Sequence, residues 1–504
     1  MIRRNARPQS LDSKFKPELS VSLLIPARNS QEKLDLVLAS LSLQTYPARL
    51  TSVIVIDDGS SKPLTLPKIR PANTRLIRLK DSDGTWGKVG AINKVASTVK
   101  SDVIFCLDSD MVVHPDHIAE HLKWHHNSGE YVVLGWKRFV EKWAYSPSEL
   151  IQSIKAGSFD SLHSDSKPHD YVEARIRATN DLRNPKLEGF RAFTGATFSM
   201  RTSSWRELGG YNPSLVTGED TELGWRLTMH GFTLVPEPNA KAWHLGATTI
   251  QKNMATIFDH NTPNFENWIP EIRSAATRRA NEGLRWLVPD IHAIIDCRET
   301  SLEVFRNRID SLINEGIQTR LTLVGPWQVL EDRYSPLDDK YRDLRSIHNW
   351  YHGDDRFDFV DIGEEQQLSI EEILSMMCVS STAIHLFADG PVSPKYSFET
   401  LTEVMLKKEL GLLGAVDERG FRAFALFTPA LGRARRNSQG SVYKALHQGW
   451  GVRWEPWRVI EQSRDSFFIK SKALLKYAYI RFSRVRSWKE FTTLVRRAIR
   501  FIFS

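Results

Sequence analysis

Three stretches constrain the fold of this chain more than any others: "SVSLLIPARN" (20–29), "SVIVIDDGS" (52–60) and "SDVIFCLDSD" (101–110). Each is a nearly unbroken apolar run that stops abruptly on polar residues. Runs of that length without alternation predict strands buried on both faces, as in parallel sheets covered by helices. The intervening sequence supplies the helices. "SQEKLDLVLASLSLQTYP" carries Leu34, Val37, Leu38 and Leu41 at helical spacing, and Tyr46-Pro47 closes it, because a residue before proline is pushed out of the α region. "TRLIRL" (74–79) predicts a further strand and "WGKVGAINKVAST" (86–98) a second helix. Strands alternating with helices predict an α/β fold, in which ligands bind outside the carboxyl ends of the strands. Arg28-Asn29, Asp57-Asp58 and Asp108-Ser109-Asp110 are therefore expected to converge on one crevice, with a helix entered at Pro115.

At 504 residues the chain is too long for one ordinary domain. Hydrophobic content of 41% and charged content of 25% fit a globular protein and exclude disordered and fibrous classes. Cys106, Cys297 and Cys378 lie far apart with no metal-binding spacing, which predicts buried thiols in a reducing compartment. "MIRRNARPQS" is basic, but no apolar segment of a secretory leader follows it, and no stretch reaches the ~20 apolar residues of a membrane span. A cytoplasmic location is the expectation. The net charge of +8 is concentrated at one end: residues 466–504 hold ten Lys or Arg and one acid, Glu490, so the tail carries +9 and the rest about −1.

The chain also repeats itself. "DIHAIIDCRETSLEVFRNRIDSLINEGIQTRLTLVGP" (290–326) follows the strand–helix–strand layout of residues 20–58, and "AIHLFADGPVSPKYSFETLTEVM" (383–405) parallels "VIFCLDSDMVVHPDHIAEHL". "GFRAF" occurs at 189–193 and 420–424, followed by "HGFTLVPEP" and "QGWGVRWEP" respectively. Four features in one order predict a tandem duplication with its junction near residues 275–288.

Several residue clusters carry chemistry. Asp108 and Asp110 suit an Asx-type turn capping the next helix, or carboxylate ligands of a hard divalent cation that neutralises a diphosphate. Asp57 and Asp58 suit a turn closed by Gly59, or acceptors for a base or ribose hydroxyl at a switch point. In "FTGATFSMRTSSWRELGGYNPSLVTGEDTELGWRL" (193–227), Gly195 and Gly209-Gly210 permit close backbone approach. Glu219 and Asp220 head an amphipathic helix, where they complement its dipole and are placed to deprotonate an incoming hydroxyl. His244, after a tryptophan, reads first as a packed side chain.

Taken together, "VSLLIPARN", "LSLQTYP", "VIVIDDGS", "GKVGAIN", "DVIFCLDSD", "FTGATFSMRTSSWRELGGYN" and "GEDTELGWRL" resemble a family 2 glycosyltransferase of the GT-A fold over residues 20–250. The resemblance implies a Rossmann-like, mostly parallel catalytic sheet. It implies a donor site from Pro26, Arg28, Asn29, Asp58, Lys88, Asn93, Asp108, Ser109, Asp110 and Gly195. It further implies Mn²⁺ or Mg²⁺ on Asp108 and Asp110, with His244 completing the metal site, and Asp220 as catalytic base with Glu219 as the alternative. The stretch 136–186 departs from the compact family pattern, which leaves the acceptor contacts there unassigned.

In the second copy Val324, Gly325 and Pro326 stand where the first has Asp57-Asp58. Ala388-Asp389-Gly390 replaces the acid–Ser–acid triplet, and no Glu-Asp pair follows the second "GFRAF". This predicts a catalytic unit at 1–280, a degenerate GT-A-like, non-catalytic α/β unit at 285–465, and a basic tail at 466–504. In the tail, Phe491, Leu494, Val495, Ala498 and Ile502 share a helical face. Such a helix either docks on the body or lies on anionic lipid. Nucleic-acid binding is not expected, since no reading module is present. The expected activity is metal-dependent, inverting transfer from a nucleotide-diphosphate sugar, a UDP-sugar first, to a glycan or lipid-linked acceptor in cell-surface polysaccharide synthesis at the inner face of the membrane. Two rivals are a sugar-phosphate nucleotidyltransferase, whose glycine-rich loop "IPARNSQEKL" lacks, and a non-catalytic scaffold.

Overall fold

The computed structural model describes residues 8–456 except 12–14, 81–86, 164, 185–187, 216, 247–253, 275–276, 278–284, 314–317, 331–333, 380–383, 390–397 and 419. The basic tail and its helical face lie outside the described residues. Two sheets organise the chain.

The first contains β1 (Val21–Ala27), β2 (Thr51–Asp57), β3 (Thr74–Arg78), β4 (Val103–Leu107), β5 (Met111–Val113), β6 (Tyr131–Val140), β7 (Lys167–Pro168), β8 (Thr197–Arg201) and β9 (Thr233–Leu245). Their order is β3-β2-β1-β4-β8-β6-β9-β5, with β7 beside β6. β1 runs parallel to both neighbours, so Val21 lies opposite Thr51 on one side and Val103 on the other. Every residue of β1 and β4 is buried, which is why neither sequence alternates. Helix α1 (Gln31–Leu41) packs Leu34, Val37, Leu38 and Leu41 against Leu23 and Ile25 on one face. Helix α2 (Gly87–Ala96) packs Val89, Ile92 and Val95 with Leu24 on the other. Each such leucine or isoleucine contributes at most about 2 kcal/mol of apolar burial.

Beyond β4 the sheet becomes mixed. β8 is antiparallel to β4 and β6, β9 is parallel to β6, and β5 is antiparallel to β9. β5 follows β4 after only Asp108, Ser109 and Asp110, yet it pairs with the far strand β9, so the sheet curls back on itself there. That curl places the acid–Ser–acid turn against the end of β9. The helix expected at Pro115 begins just after it, as α3 (His117–Asn127).

The second sheet contains β10 (Ile291–Asp296), β11 (Thr319–Gly325), β12 (Phe357–Asp361), β13 (Ile384–Asp389), β14 (Leu412–Asp417), β15 (Gly420–Phe427) and β16 (Val452–Pro456). Its order, β12-β11-β10-β13-β15-β14-β16, reproduces β3-β2-β1-β4-β8-β6-β9 strand for strand. The pairing senses agree too: β10 is parallel to β11 and β13, β15 antiparallel to β13 and β14, and β14 parallel to β16. "HGFTLVPEP" and "QGWGVRWEP" thus lead into equivalent strands. The "GFRAF" pair is not equivalent in structure: the first forms the 3₁₀ turn Gly189–Ala192 ahead of β8, and the second is the start of β15 itself.

The two units touch. Helix α4 (Glu219–Met229) of the first packs against the helix Thr428–Asn437 of the second. Arg436 donates to the His230 carbonyl at 2.6 Å, pairs with Glu130 at 3.2 Å and with Glu207, and covers the Phe232 ring. At the same seam a methyl group on Gly231 or Gly432 would overlap backbone atoms of the opposite segment. Cys106 and Cys297 are buried, while Cys378 is exposed. Among the described residues no helix is long and apolar enough to cross a membrane.

Candidate active site

The polar ends of β1, β2 and β4 do meet, and the two aspartates after β2 divide the work. Asp57 is buried and closes its own loop, its carboxylate accepting from the N–H groups of Ser60 and Leu64 at 3.0 Å, with Arg78 at 3.6 Å. Asp58 stays half-buried, and burial raises its carboxyl above the usual value although Arg28 opposes this. Asn29 has a left-handed backbone, φ 51°. Its side-chain oxygen accepts from the Ser61 N–H and hydroxyl at 2.9 Å, which sews the loop after β1 to the loop after β2. Pro26 is buried in β1 opposite Ile56.

Around the acid–Ser–acid turn each carboxylate meets a different cation. Asp108 lies 2.7 Å from Lys88, whose ammonium also donates to the Gly195 carbonyl at 3.3 Å and stands 3.9 Å from Glu219. Burial works against the charge on Lys88, but Asp108 and Glu219 hold its pKa above the ordinary lysine value. Asp110 pairs with Lys33 at 3.1 Å, and Lys33 donates as well to the Leu245 carbonyl at 2.7 Å. The Ser109 and Ser30 hydroxyls are 3.2 Å apart.

His244, opposite Met111 on β9, turns Nε2 toward Asp110 Oδ1 at 3.7 Å. Its Nδ1 lies 2.9 Å from the Gly246 carbonyl. Burial holds the ring's pKa down against the pull of Asp110, so it is neutral. A neutral imidazole beside a carbonyl must carry its proton on that nitrogen, leaving a bare lone pair on Nε2 facing a carboxylate. Two acceptors set against each other suit a cation between them, so this pair fits a divalent ion. Asp108, expected as a third ligand, stands apart on Lys88. Among the described residues no three His, Cys, Asp or Glu side chains gather into a metal-holding group.

Glu219 and Asp220 occupy the first turn of α4, entered through Gly218 at φ 84°. The Asp220 carboxylate accepts from the Gly195 N–H at 3.3 Å and the Thr221 N–H at 2.8 Å. Glu219 is buried, and that burial pushes its carboxyl up to about 7, Lys88 opposing and Asp220 reinforcing. Gly195 links the two sides, its carbonyl serving Lys88 and its N–H serving Asp220. A methyl group there would come within 3.0 Å of the Tyr211 hydroxyl and 3.3 Å of Lys88.

Residues 22–200 match the model of the glycosyl transferase family 2. The N-terminal unit is a family 2 glycosyltransferase domain. An uncharacterized glycosyltransferase of Bacillus subtilis is 28% identical over 249 residues, which cover 43% of this chain and 62% of that protein. A poly-β-1,6-N-acetyl-D-glucosamine synthase of Staphylococcus epidermidis is 23% identical over 234 residues, 46% of this chain and 51% of that one. The chain thus spans between half and two thirds of the length of these relatives. Among solved structures, a mannosyltransferase from Pyrobaculum calidifontis in complex with GDP-Man and Mn²⁺ superposes on 49% of this chain and 62% of that one. Its identity is 15% and its TM-score 0.34, which adds nothing to the fold read from the strands themselves.

Within the glycosyltransferase domain, Asp58, Lys88, Asp108, Ser109, Asp110, Gly195, Glu219, Asp220 and His244 are gathered at one end of the curled sheet. Asn93 is not free for a donor: its amide donates to the Tyr211 carbonyl at 2.8 Å and accepts from the Tyr211 N–H at 2.9 Å, so it fixes the Gly210-Tyr211 turn. Glu222 and Arg226 brace the same region, Arg226 reaching the carbonyls of Leu208 and Gly210 at 2.7 and 2.8 Å. Sequence reasoning missed Lys33, Lys137 and Tyr211. Lys33 had the look of a solvated helix face, and the buried lysine in "LGWKRF" was the one available signal for Lys137.

Proposed function

We propose that this protein is a metal-dependent, inverting glycosyltransferase that moves a sugar from a nucleotide-diphosphate donor to a glycan or lipid-linked acceptor. The observation that carries the reading is the meeting of two groups at one crevice: the Asp110–His244 pair, and the Glu219-Asp220 turn held through Gly195. Asp220 takes the proton from the acceptor hydroxyl as the new bond forms. Its two N–H contacts hold the carboxylate in place. Asp58 receives the nucleotide and Gly195 lets the sugar approach the backbone. A divalent cation on Asp110 and His244 would offset the negative charge of the departing diphosphate. Lys88, beside Asp108, adds a fixed positive charge on the same side.

A UDP-sugar is the first donor to try, with N-acetylglucosamine among the sugars because of the similar Staphylococcus synthase. The second unit serves as a non-catalytic partner, and the basic tail places the enzyme on the inner face of the cell membrane. The deciding experiment incubates the purified full-length chain with a panel of nucleotide sugars, Mn²⁺ and acceptor oligosaccharides, and measures released nucleoside diphosphate. Release from one donor with a sugar added to the acceptor supports the reading. Release of pyrophosphate from a nucleoside triphosphate and a sugar phosphate would replace it with the nucleotidyltransferase.

A further inference from the structure

Lys137 sits mid-strand on β6, opposite Ala242, two residues before Phe139, which lies opposite His244. Strand alternation puts Lys137 and Phe139 on one face. The Lys137 ammonium lies over the Phe139 ring at 5.7 Å, and that ring packs against His244 at 5.0 Å and His169 at 5.4 Å. Lys137 is therefore beside the Asp110–His244 pair. Its side chain is buried, at 8% exposure.

No described residue hydrogen-bonds or ion-pairs with that ammonium. The acids that attract it are already engaged: Asp108 by Lys88, Asp110 by Lys33, and Asp220 by two backbone N–H groups. A second donor in the crevice is in the same condition. The Tyr211 hydroxyl is fully buried and has no partner among the described residues, close to Gly195 and Lys88. A buried ammonium without an acceptor is costly, and a phenol hydroxyl less so. Burial lowers the Lys137 pKa from its ordinary value despite Asp108 and Asp220, the condition of a cation short of a counter-ion. A neutral sugar hydroxyl would not supply one.

We infer that Lys137 anchors an anion subsite in the crevice and takes a phosphate or carboxylate oxygen carried by the substrate. This rests on the glycosyltransferase reading for the identity of the substrate, not for the existence of the subsite. The oxygen has two sources: the donor diphosphate, or an acidic group on the acceptor.

The test uses the full-length chain as wild type, Lys137→Met and Lys137→Arg, titrated with inorganic pyrophosphate and, separately, with glucuronate, both in Mg²⁺. The wild type is expected to bind at least one probe, Lys137→Met to bind it at least tenfold more weakly, and Lys137→Arg to recover most of the loss. A loss confined to pyrophosphate assigns the subsite to the donor, and one confined to glucuronate assigns it to the acceptor. The unliganded Lys137→Met chain should melt no lower than the wild type, because it has shed an uncompensated buried charge. Undiminished binding of both probes by Lys137→Met, or no binding of either by the wild type, overturns the inference. So does a lowered melting point in Lys137→Met together with no recovery in Lys137→Arg. Failure of every nucleotide sugar to turn over would defeat the proposed function and leave these titrations standing.

Discussion

His244 Nε2 and Asp110 Oδ1 face each other across 3.7 Å, while the ring's other nitrogen is committed to the carbonyl of Gly246. The pair thus presents two lone pairs to one point. Asp110→Asn and His244→Ala are each expected to cut turnover by about 100-fold or more and to remove Mn²⁺-dependent nucleotide binding, with the fold intact. Calorimetric titration of nucleotide with and without Mn²⁺ checks this. Full activity in excess chelator would sink the metal assignment.

Glu219 and Asp220 are adjacent but differently placed, and substitution should separate them. With Asp220 as the proposed base acting on the acceptor, Asp220→Asn is expected to lower transfer by roughly 10²–10⁴-fold with donor affinity near wild type. Loss of donor binding instead would move Asp220 into the nucleotide or metal shell.

Burial gives Glu219 a signature in pH. Its carboxyl titrates at about 7 in the folded chain, well above its value in an unfolded one. Its contribution to stability is therefore fully present below the unfolded value and lost as pH rises through about 7. Glu219→Gln should flatten this decline and stabilise the protein at pH 8 by about 1–3 kcal/mol. Denaturant melts at pH 5 and pH 8 measure it, and equal slopes in variant and wild type would contradict the burial argument.

Asn93 spends both ends of its amide on Tyr211. Asn93→Ala should cost about 1–3 kcal/mol of stability and loosen the Gly210-Tyr211 turn. Nucleotide affinity, measured well below the melting temperature, should change little. A large, selective loss of donor binding would return Asn93 to the donor site.

The charge of the tail makes a prediction from sequence alone. Residues 466–504 carry +9 and the rest about −1, so attraction to anionic vesicles should reside in the tail and fade as salt screens it. Flotation of the full chain and of a chain ending at Asp465, on anionic and neutral vesicles, tests this. Equal binding by both would refute it.

The first four strands and both of their helices were legible in the sequence, because β1, β2 and β4 are buried on both faces and their apolar runs stop where the crevice begins. The acids were legible for the same reason. Side-chain direction was not. Nothing in "VIVIDDGS" says that Asp57 turns back to hold Ser60 and Leu64 while Asp58 does not. Nor could spacing reveal that Lys33, 77 residues from Asp110, would pair with it, because the curl that joins them depends on β9. The second "GFRAF" misled in detail: the same five residues form a 3₁₀ turn in one unit and a strand in the other, since tertiary partners decide the conformation of so short a segment.

The seam at Gly231 and Gly432 has a consequence for how such a chain can change over time. Where two backbones meet with no room for a methyl group, each unit is the mould of the other. A unit pressed so closely against the helix that bears Glu219 and Asp220 can vary at the ends of its own strands, which take no part in the contact. It is not free to shed its outline. The second unit keeps the strand order of the first, and at the seam its backbone is held to a shape that its crevice does not share in setting.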